Sequence, residues 1–142
     1  MKKIFILLII VCSLTPTHAQ SKTSLIAQSP KVDAATLKKI RTGKAYLVDV
    51  RTPEEFNSGH LKFAKNINYN GSDFKAQIAK LDKSKPVYLY CRSGNRSGKA
   101  ADTMAAMGFA TFYNIGGIEK LKQEGFPVDP DLNALTRSVS VK

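Results

Sequence analysis

Short apolar runs alternate along the chain with polar, glycine-marked breaks, and the spacing inside each run separates helices from strands. Behind Asp33, a residue suited to cap a helix, Ala34, Ala35, Leu37 and Ile40 recur at helical spacing until Gly43 stops them. Ala45-Tyr46-Leu47-Val48-Asp49-Val50 is almost continuously apolar, as in a strand covered on both faces. Pro53-Glu54-Glu55-Phe56 opens a short helix, with proline in its first turn and acids where the helix dipole favours them, and Gly59 closes it. Residues 66–69 read as a short strand. Ser72 then caps a helix through Phe74, Ile78 and Leu81, broken by Lys85-Pro86. A second apolar strand, 87–90, runs straight into Cys91, and after a polar loop the helix formers of 97–107 lead to Gly108. Residues 111–115 predict another strand, Gly116-Gly117 a turn, and 118–124 a last helix stopped by Gly125 and Pro127.

Strands alternating with helices argue an α/β fold, a central parallel sheet of about five strands with helices on both faces. The pattern occupies residues 32–129, one domain's worth of chain, and no internal repeat interrupts it. Before it, 20–31 is rich in Ser, Thr, Gln, Lys and Pro and reads as a linker. After it, 130–142 is a polar tail.

The first residues predict export. Lys2-Lys3 form a basic start, 4–11 an unbroken apolar run, and Ser13, Pro16 and Ala19 close it, the pattern of a cleavable signal peptide over 1–19 and of a periplasmic or secreted product. The run falls short of the roughly 20 apolar residues of a bilayer span, so no stable membrane span is expected. Ile9-Ile10-Val11 before Cys12 lacks the small residue that lipoprotein processing wants, so Cys12 is expected to leave with the leader. The mature chain then carries one thiol, Cys91. Two cysteines, neither near a second Cys or a His pair at ligand spacing, exclude a disulfide framework and a zinc finger.

Against 11 acidic residues stand 22 Lys and Arg, a net charge of +11. Beyond the leader no more than two basic residues stand together and aromatics are not interleaved with them, which argues for a solvated basic face and against nucleic acid as a partner.

The chemistry concentrates in Cys91-Arg92-Ser93-Gly94-Asn95-Arg96-Ser97-Gly98, between a buried strand and a helix. Beyond the carboxyl ends of strands in open α/β sheets, successive amides and a helix N-terminus form an anion site. There the Cys91 thiolate gains from the amides, the helix dipole and Arg92 and Arg96, which predicts a lowered pKa and a nucleophilic sulfur. Gly94 lets the loop close, Arg96 has the fork for a bidentate anion contact, and Ser93 and Ser97 add hydroxyls. His60 and His18 are the only histidines, so no general base stands out. An ionised nucleophile attacking a weak bond needs none, and sulfur transfer onto a thiolate fits.

These residues resemble a single rhodanese-like domain. The resemblance runs from about Val32 to Asp129 and rests on three blocks: Leu47-Val48-Asp49-Val50-Arg51 with Pro53-Glu54-Glu55-Phe56 and Gly59-His60-Leu61; the Cys91 loop; and Gly116-Gly117-Ile118 with Gly125-Phe126-Pro127-Val128. It implies a sulfurtransferase in which Cys91 accepts a sulfane sulfur from thiosulfate or a persulfide and passes it to an acceptor thiol or protein. The substrate cradle it implies is Arg92, Ser93, Gly94, Asn95, Arg96 and Ser97, without metal or organic cofactor. The chain departs from the family pattern at Lys62-Phe63, commonly Pro-Gly, at Asn68, often Pro, and at Leu121, frequently Trp.

Within this fold the resemblance also separates two chemistries by loop length. Sulfurtransferases have four residues between Cys and Arg, as from Cys91 to Arg96, whereas related phosphatases and arsenate reductases have one more. The phosphatase alternative also lacks an evident acid, Asp102 and Glu119 being the nearest candidates. A non-enzymatic sulfur-carrier or interaction module presenting Cys91 to one partner is the other alternative. Asp49, Arg51, Glu55 and His60 are expected to be structural, paired with one another or with backbone groups, and Tyr88, Tyr90, Phe112 and Tyr113 to be core or rim aromatics.

Overall fold

The computed structural model describes residues 32–129; the leader, linker and tail expected at 1–19, 20–31 and 130–142 lie outside the described residues. In chain order the elements are α1 (Ala34–Arg41), β1 (Tyr46–Asp49), α2 (Pro53–Asn57), β2 (His60–Leu61), β3 (Lys65–Asn66), α3 (Phe74–Ala79), β4 (Val87–Cys91), α4 (Asn95–Ala106), β5 (Phe112–Gly117), α5 (Ile118–Gln123) and β6 (Val128–Asp129).

β3, β1, β4 and β5 lie side by side in that order and pair in parallel. The sheet therefore counts four strands rather than about five. The remaining extended segments, β2 and β6, pair antiparallel as a separate two-residue ribbon, His60 opposite Asp129 and Leu61 opposite Val128. Pro127 has no N–H to give the ladder, but its carbonyl accepts from Lys62 N–H at 2.8 Å.

Side-chain alternation along the central strands divides the core in two. Val87, Leu89 and Cys91 of β4 join Val48 and Val50 under Phe74 and Ile78 of α3 and Ala100 and Met104 of α4. Tyr88 and Tyr90 point the other way, with Leu47, onto Ile40 of α1 and Ile118 and Leu121 of α5. Helices thus cover both faces, as the continuous apolar runs require. Cys91 ends the most buried strand on the α4 face, which sets where its sulfur meets the helix. No helix among the described residues is long and apolar enough to cross a membrane.

Local chemistry fixes several boundaries. Asp33 Oδ1 accepts from Thr36 N–H at 2.8 Å and starts α1 as expected. Thr52 and Glu55 form a reciprocal capping box at α2. Asp73, not Ser72, occupies the N-cap of α3 and makes no side-chain capping bond. α4 begins at Asn95, two residues before the expected Ser97, because Gly94, at φ 96°, ψ −11°, turns the chain directly into the helix. Gly116 and Gly117 continue β5 instead of turning. Leu89 pairs with Asn114 and Tyr90 with Gly116, so Ile115 bulges and the strand reaches the Cys91 loop one residue later.

Candidate active site

The segment after β4 wraps back over its own cysteine. Gly94 N–H points at Cys91 Sγ from 3.1 Å, and the Ser97 hydroxyl, in the first turn of α4, lies 3.5 Å from the same sulfur. The residue is 1% exposed, so the sulfur sits at the bottom of a cradle and not on its rim. Burial alone pushes a thiol up. Here the hydroxyl and amide of Ser97 and the amides of Ser93 and Gly94 outweigh it and hold Cys91 below the ordinary thiol range. The thiolate is thus favoured mainly by neutral dipoles of the loop and first helical turn.

The back of the cradle is the β5 bulge. A β-carbon on Gly117 would stand 2.7 Å from the Arg92 carbonyl oxygen and 3.2 Å from Ser93 Cα, so only glycine lets β5 lie against the loop. Asn114, the polar residue inside the otherwise apolar-to-glycine run of β5, donates through Nδ2 to the Gly94 carbonyl at 2.9 Å. Its Oδ1 accepts from Gly116 N–H at 3.1 Å and stands 2.8 Å from the Ser97 hydroxyl, whose one proton it shares with the Cys91 sulfur. Both backbone partners have fixed polarity, which determines the orientation of the amide. Asn114 therefore staples the loop, the helix start and the bulge together. Sequence reasoning passed over it as a strand residue; the signal available was a carboxamide between Tyr113 and Ile115, positions that otherwise build core.

The rest of the loop divides sharply. Arg92, Ser93 and Asn95 are exposed on the rim, and Gly94 and Arg96 are half-buried. Arg96 does not direct its fork into the cradle: Nη1 and Nη2 bond the two oxygens of Glu55 at 2.6 and 2.8 Å, tying the first turn of α4 to α2. This bond draws the Glu55 carboxyl down from 4.5 to about 2 and raises Arg96 above its ordinary range. Arg92 has no carboxylate partner among the described residues.

A second charged set lies under the sheet's other face. Asp49, fully buried, receives Arg51 through Nε at 3.0 and 2.9 Å, Nη2 at 2.7 Å and the Arg51 amide at 2.9 Å. Burial pushes the guanidinium down and the Asp49 carboxylate more than offsets it. Arg51 also bonds the Gly59 carbonyl at 2.8 Å. His60 stacks on Phe56 at 3.7 Å, with Nδ1 3.0 Å from the Phe56 carbonyl and Nε2 3.8 Å from Asp129. The Tyr90 hydroxyl accepts from Leu61 N–H at 3.1 Å, and burial raises the phenol's pKa. None of these contacts reaches the Cys91 sulfur. No three His, Cys, Asp or Glu side chains among the described residues converge as metal ligands.

The model of the rhodanese-like domain matches residues 33–124. The chain belongs to this family. The uncharacterized protein YqhL of Bacillus subtilis is 40% identical over 100 residues, spanning 68% of this chain and 78% of its own. The thiosulfate sulfurtransferase GlpE of Pseudomonas aeruginosa is 32% identical over 94 residues, 66% of this chain and 83% of its own. Among solved structures, a rhodanese with anions from E. coli superposes with a TM-score of 0.51 at 31% identity, covering 61% of this chain and 98% of that one. In this rhodanese-like domain the Cys91 loop is thus held at three places: by close packing against Gly117, by the Asn114 amide, and by the Glu55 carboxylate through Arg96.

Proposed function

We propose that this rhodanese-like domain is a sulfurtransferase and that Cys91 carries the sulfur. The Cys91 thiolate attacks the sulfane sulfur of thiosulfate or a persulfide; the donor's S–S bond breaks, sulfite or the donor thiolate leaves with the electron pair, and Cys91 becomes a persulfide. An acceptor thiolate, or cyanide in vitro, then attacks the outer sulfur and regenerates the thiolate. The observation that carries this reading is the Cys91 sulfur held 3.1 Å from the Gly94 amide in a loop with four residues between Cys91 and Arg96. The amides of Ser93, Gly94 and Ser97 that favour the thiolate are suited to the persulfide anion as well. Arg92, on the rim, meets the anionic donor, while Arg96 keeps the loop's shape through Glu55. The activity named for the GlpE relative supports the same reading.

A thiosulfate-to-cyanide assay beside Cys91→Ser, with intact-mass analysis, tests it. Transfer that vanishes in Cys91→Ser, with one added sulfur on the wild type, is expected. Phosphate release from an aryl phosphate instead would point to the phosphatase alternative, and loading only from a protein persulfide to the carrier module. We propose further that 1–19 is a cleaved leader and the site of action is periplasmic or secreted, supported by the Lys2-Lys3 start and the apolar run after it. Mass analysis of the product from an exporting host, fractionated by compartment, tests that.

A further inference from the structure

Phe63 stands out on two counts. At φ 69° it is the single non-glycine residue with positive φ among the described residues, a conformation in which a β-carbon is crowded and which costs stability. It is also 45% exposed, so no core contact explains why an aromatic stands where glycine would be unstrained. The other large apolar side chain left exposed among the described residues, Val128 at 44%, lies on the β2–β6 ribbon that leads into Phe63, next to the Pro127 carbonyl that accepts from Lys62. Between this ribbon and α1 runs a groove of about 340 Å³, lined by Leu37, Lys38, Arg41, Lys62, Phe63 and Pro127 with Ala34.

The rim of the groove is cationic and unneutralised. Lys38 and Arg41 extend from the last turn of α1, and Lys62 lies over the Phe63 ring at 5.7 Å. None of the three has a carboxylate within ion-pair distance among the described residues, whereas Lys120 and Lys122 on α5 pair with Glu124 and Glu119. We propose that this groove docks an acidic segment of a protein partner, with Phe63 as the apolar anchor and Lys38, Arg41 and Lys62 as its charged rim. Charge selects that occupant over the others. Residues 20–31 carry two Lys and no acid, 130–142 one Asp against one Arg and one Lys, and a second copy brings another +11. The proposal stands apart from the sulfur chemistry, since it is read by binding alone.

The test uses the full chain, labelled with nitrogen-15, and a fluorescent six-residue peptide with two central apolar residues flanked by four carboxylates. Amide shifts confined to 34–41, 61–63 and 128 are expected. The Asn/Gln counterpart of the peptide should bind about tenfold more weakly, as should the acidic peptide when salt rises from about 50 to about 500 mM. Lys38→Glu with Lys62→Glu should abolish binding. Phe63→Gly should weaken it at least about fivefold with a thermal midpoint no lower than wild type, since it removes the anchor and the backbone strain together. Equal affinity for the neutral peptide, shifts elsewhere, or Phe63→Gly that binds normally or melts earlier would overturn the proposal. So would displacement of the probe by a peptide of residues 130–142, which would assign the groove to the chain's own tail. Binding of anionic phosphatidylglycerol vesicles without binding of the peptide would assign it to a lipid surface.

Discussion

Replacing Glu55 by Gln removes one charge and little else. Gln still accepts at the capping box, so α2 keeps its start, and the change falls on the two bonds at 2.6 and 2.8 Å that Arg96 makes to the carboxylate. A carboxyl held at about 2 instead of 4.5 corresponds to at most about 3 kcal/mol of stability. Side-chain exposures of 21% for Arg96 and 30% for Glu55 let water screen the pair, which reduces the figure to about 1–2 kcal/mol. Because the folded pKa is the lower one, this stability is complete above pH 4.5 and is lost as pH falls through about 2, with about 40% remaining at pH 3. The chain contains no Trp, so urea unfolding is followed by far-UV circular dichroism. Glu55→Gln should be less stable than wild type by about 1–2 kcal/mol at pH 7 and by less than about 1 kcal/mol at pH 3. A deficit of the same size at both pH values, or none at pH 7, would refute the assignment of this pair as the electrostatic tether of the loop.

Three further outcomes follow from the site. Ser97→Ala withdraws a bond that lowers the Cys91 thiol, so the pH profile of iodoacetamide alkylation at Cys91 should move to higher pH, still below that of a free thiol because the Ser93 and Gly94 amides remain. Gly117→Ala places a β-carbon 2.7 Å from the Arg92 carbonyl oxygen, and the forced loop shift should lower sulfur transfer about tenfold or more in a protein about 1–3 kcal/mol less stable, measured by steady-state kinetics and urea unfolding. His60→Gln should leave transfer within about twofold of wild type, since the ring stacks on Phe56 and serves its carbonyl; abolished activity in a folded variant would give His60 a chemical part.

The layered plan and the place of Cys91 at the end of a buried strand were legible because continuous apolar runs mark two-sided strands, and β4 leads directly into Cys91. What escaped depended on partners distant in sequence or on backbone conformation. β2 and β6 are two residues each and pair residue 60 with 129, so neither carries a period to detect. The early start of α4 turns on Gly94 adopting a left-handed conformation, and no buried apolar residue appears before Ala100 to announce the helix. Gly116-Gly117 looked like a turn because glycine's usual role is conformational, whereas Gly117 is needed for closeness to Arg92. Arg96 and Glu55 were each visible as charged residues, but nothing local says that a loop arginine would spend its fork on a helix 41 residues upstream.

The depth of the Cys91 sulfur, at 1% exposure, has a consequence for what can react with it. A disulfide brings the two β-carbons to within roughly 4 Å, a distance that another folded protein's cysteine cannot reach at the floor of the cradle. One added sulfur atom carries the reactive end about 2 Å beyond Sγ. In the sulfur-transfer scheme a partner thiol therefore meets Cys91 only across an intervening sulfur atom, carried by the partner when Cys91 is loaded and by Cys91 when it is unloaded. Geometry thus separates sulfur transfer, which both directions make through the same line of three sulfurs, from direct disulfide formation, which it blocks. With no second thiol among the described residues to rescue an oxidised one, Cys91 is thereby shielded from indiscriminate protein thiols in the state in which it waits.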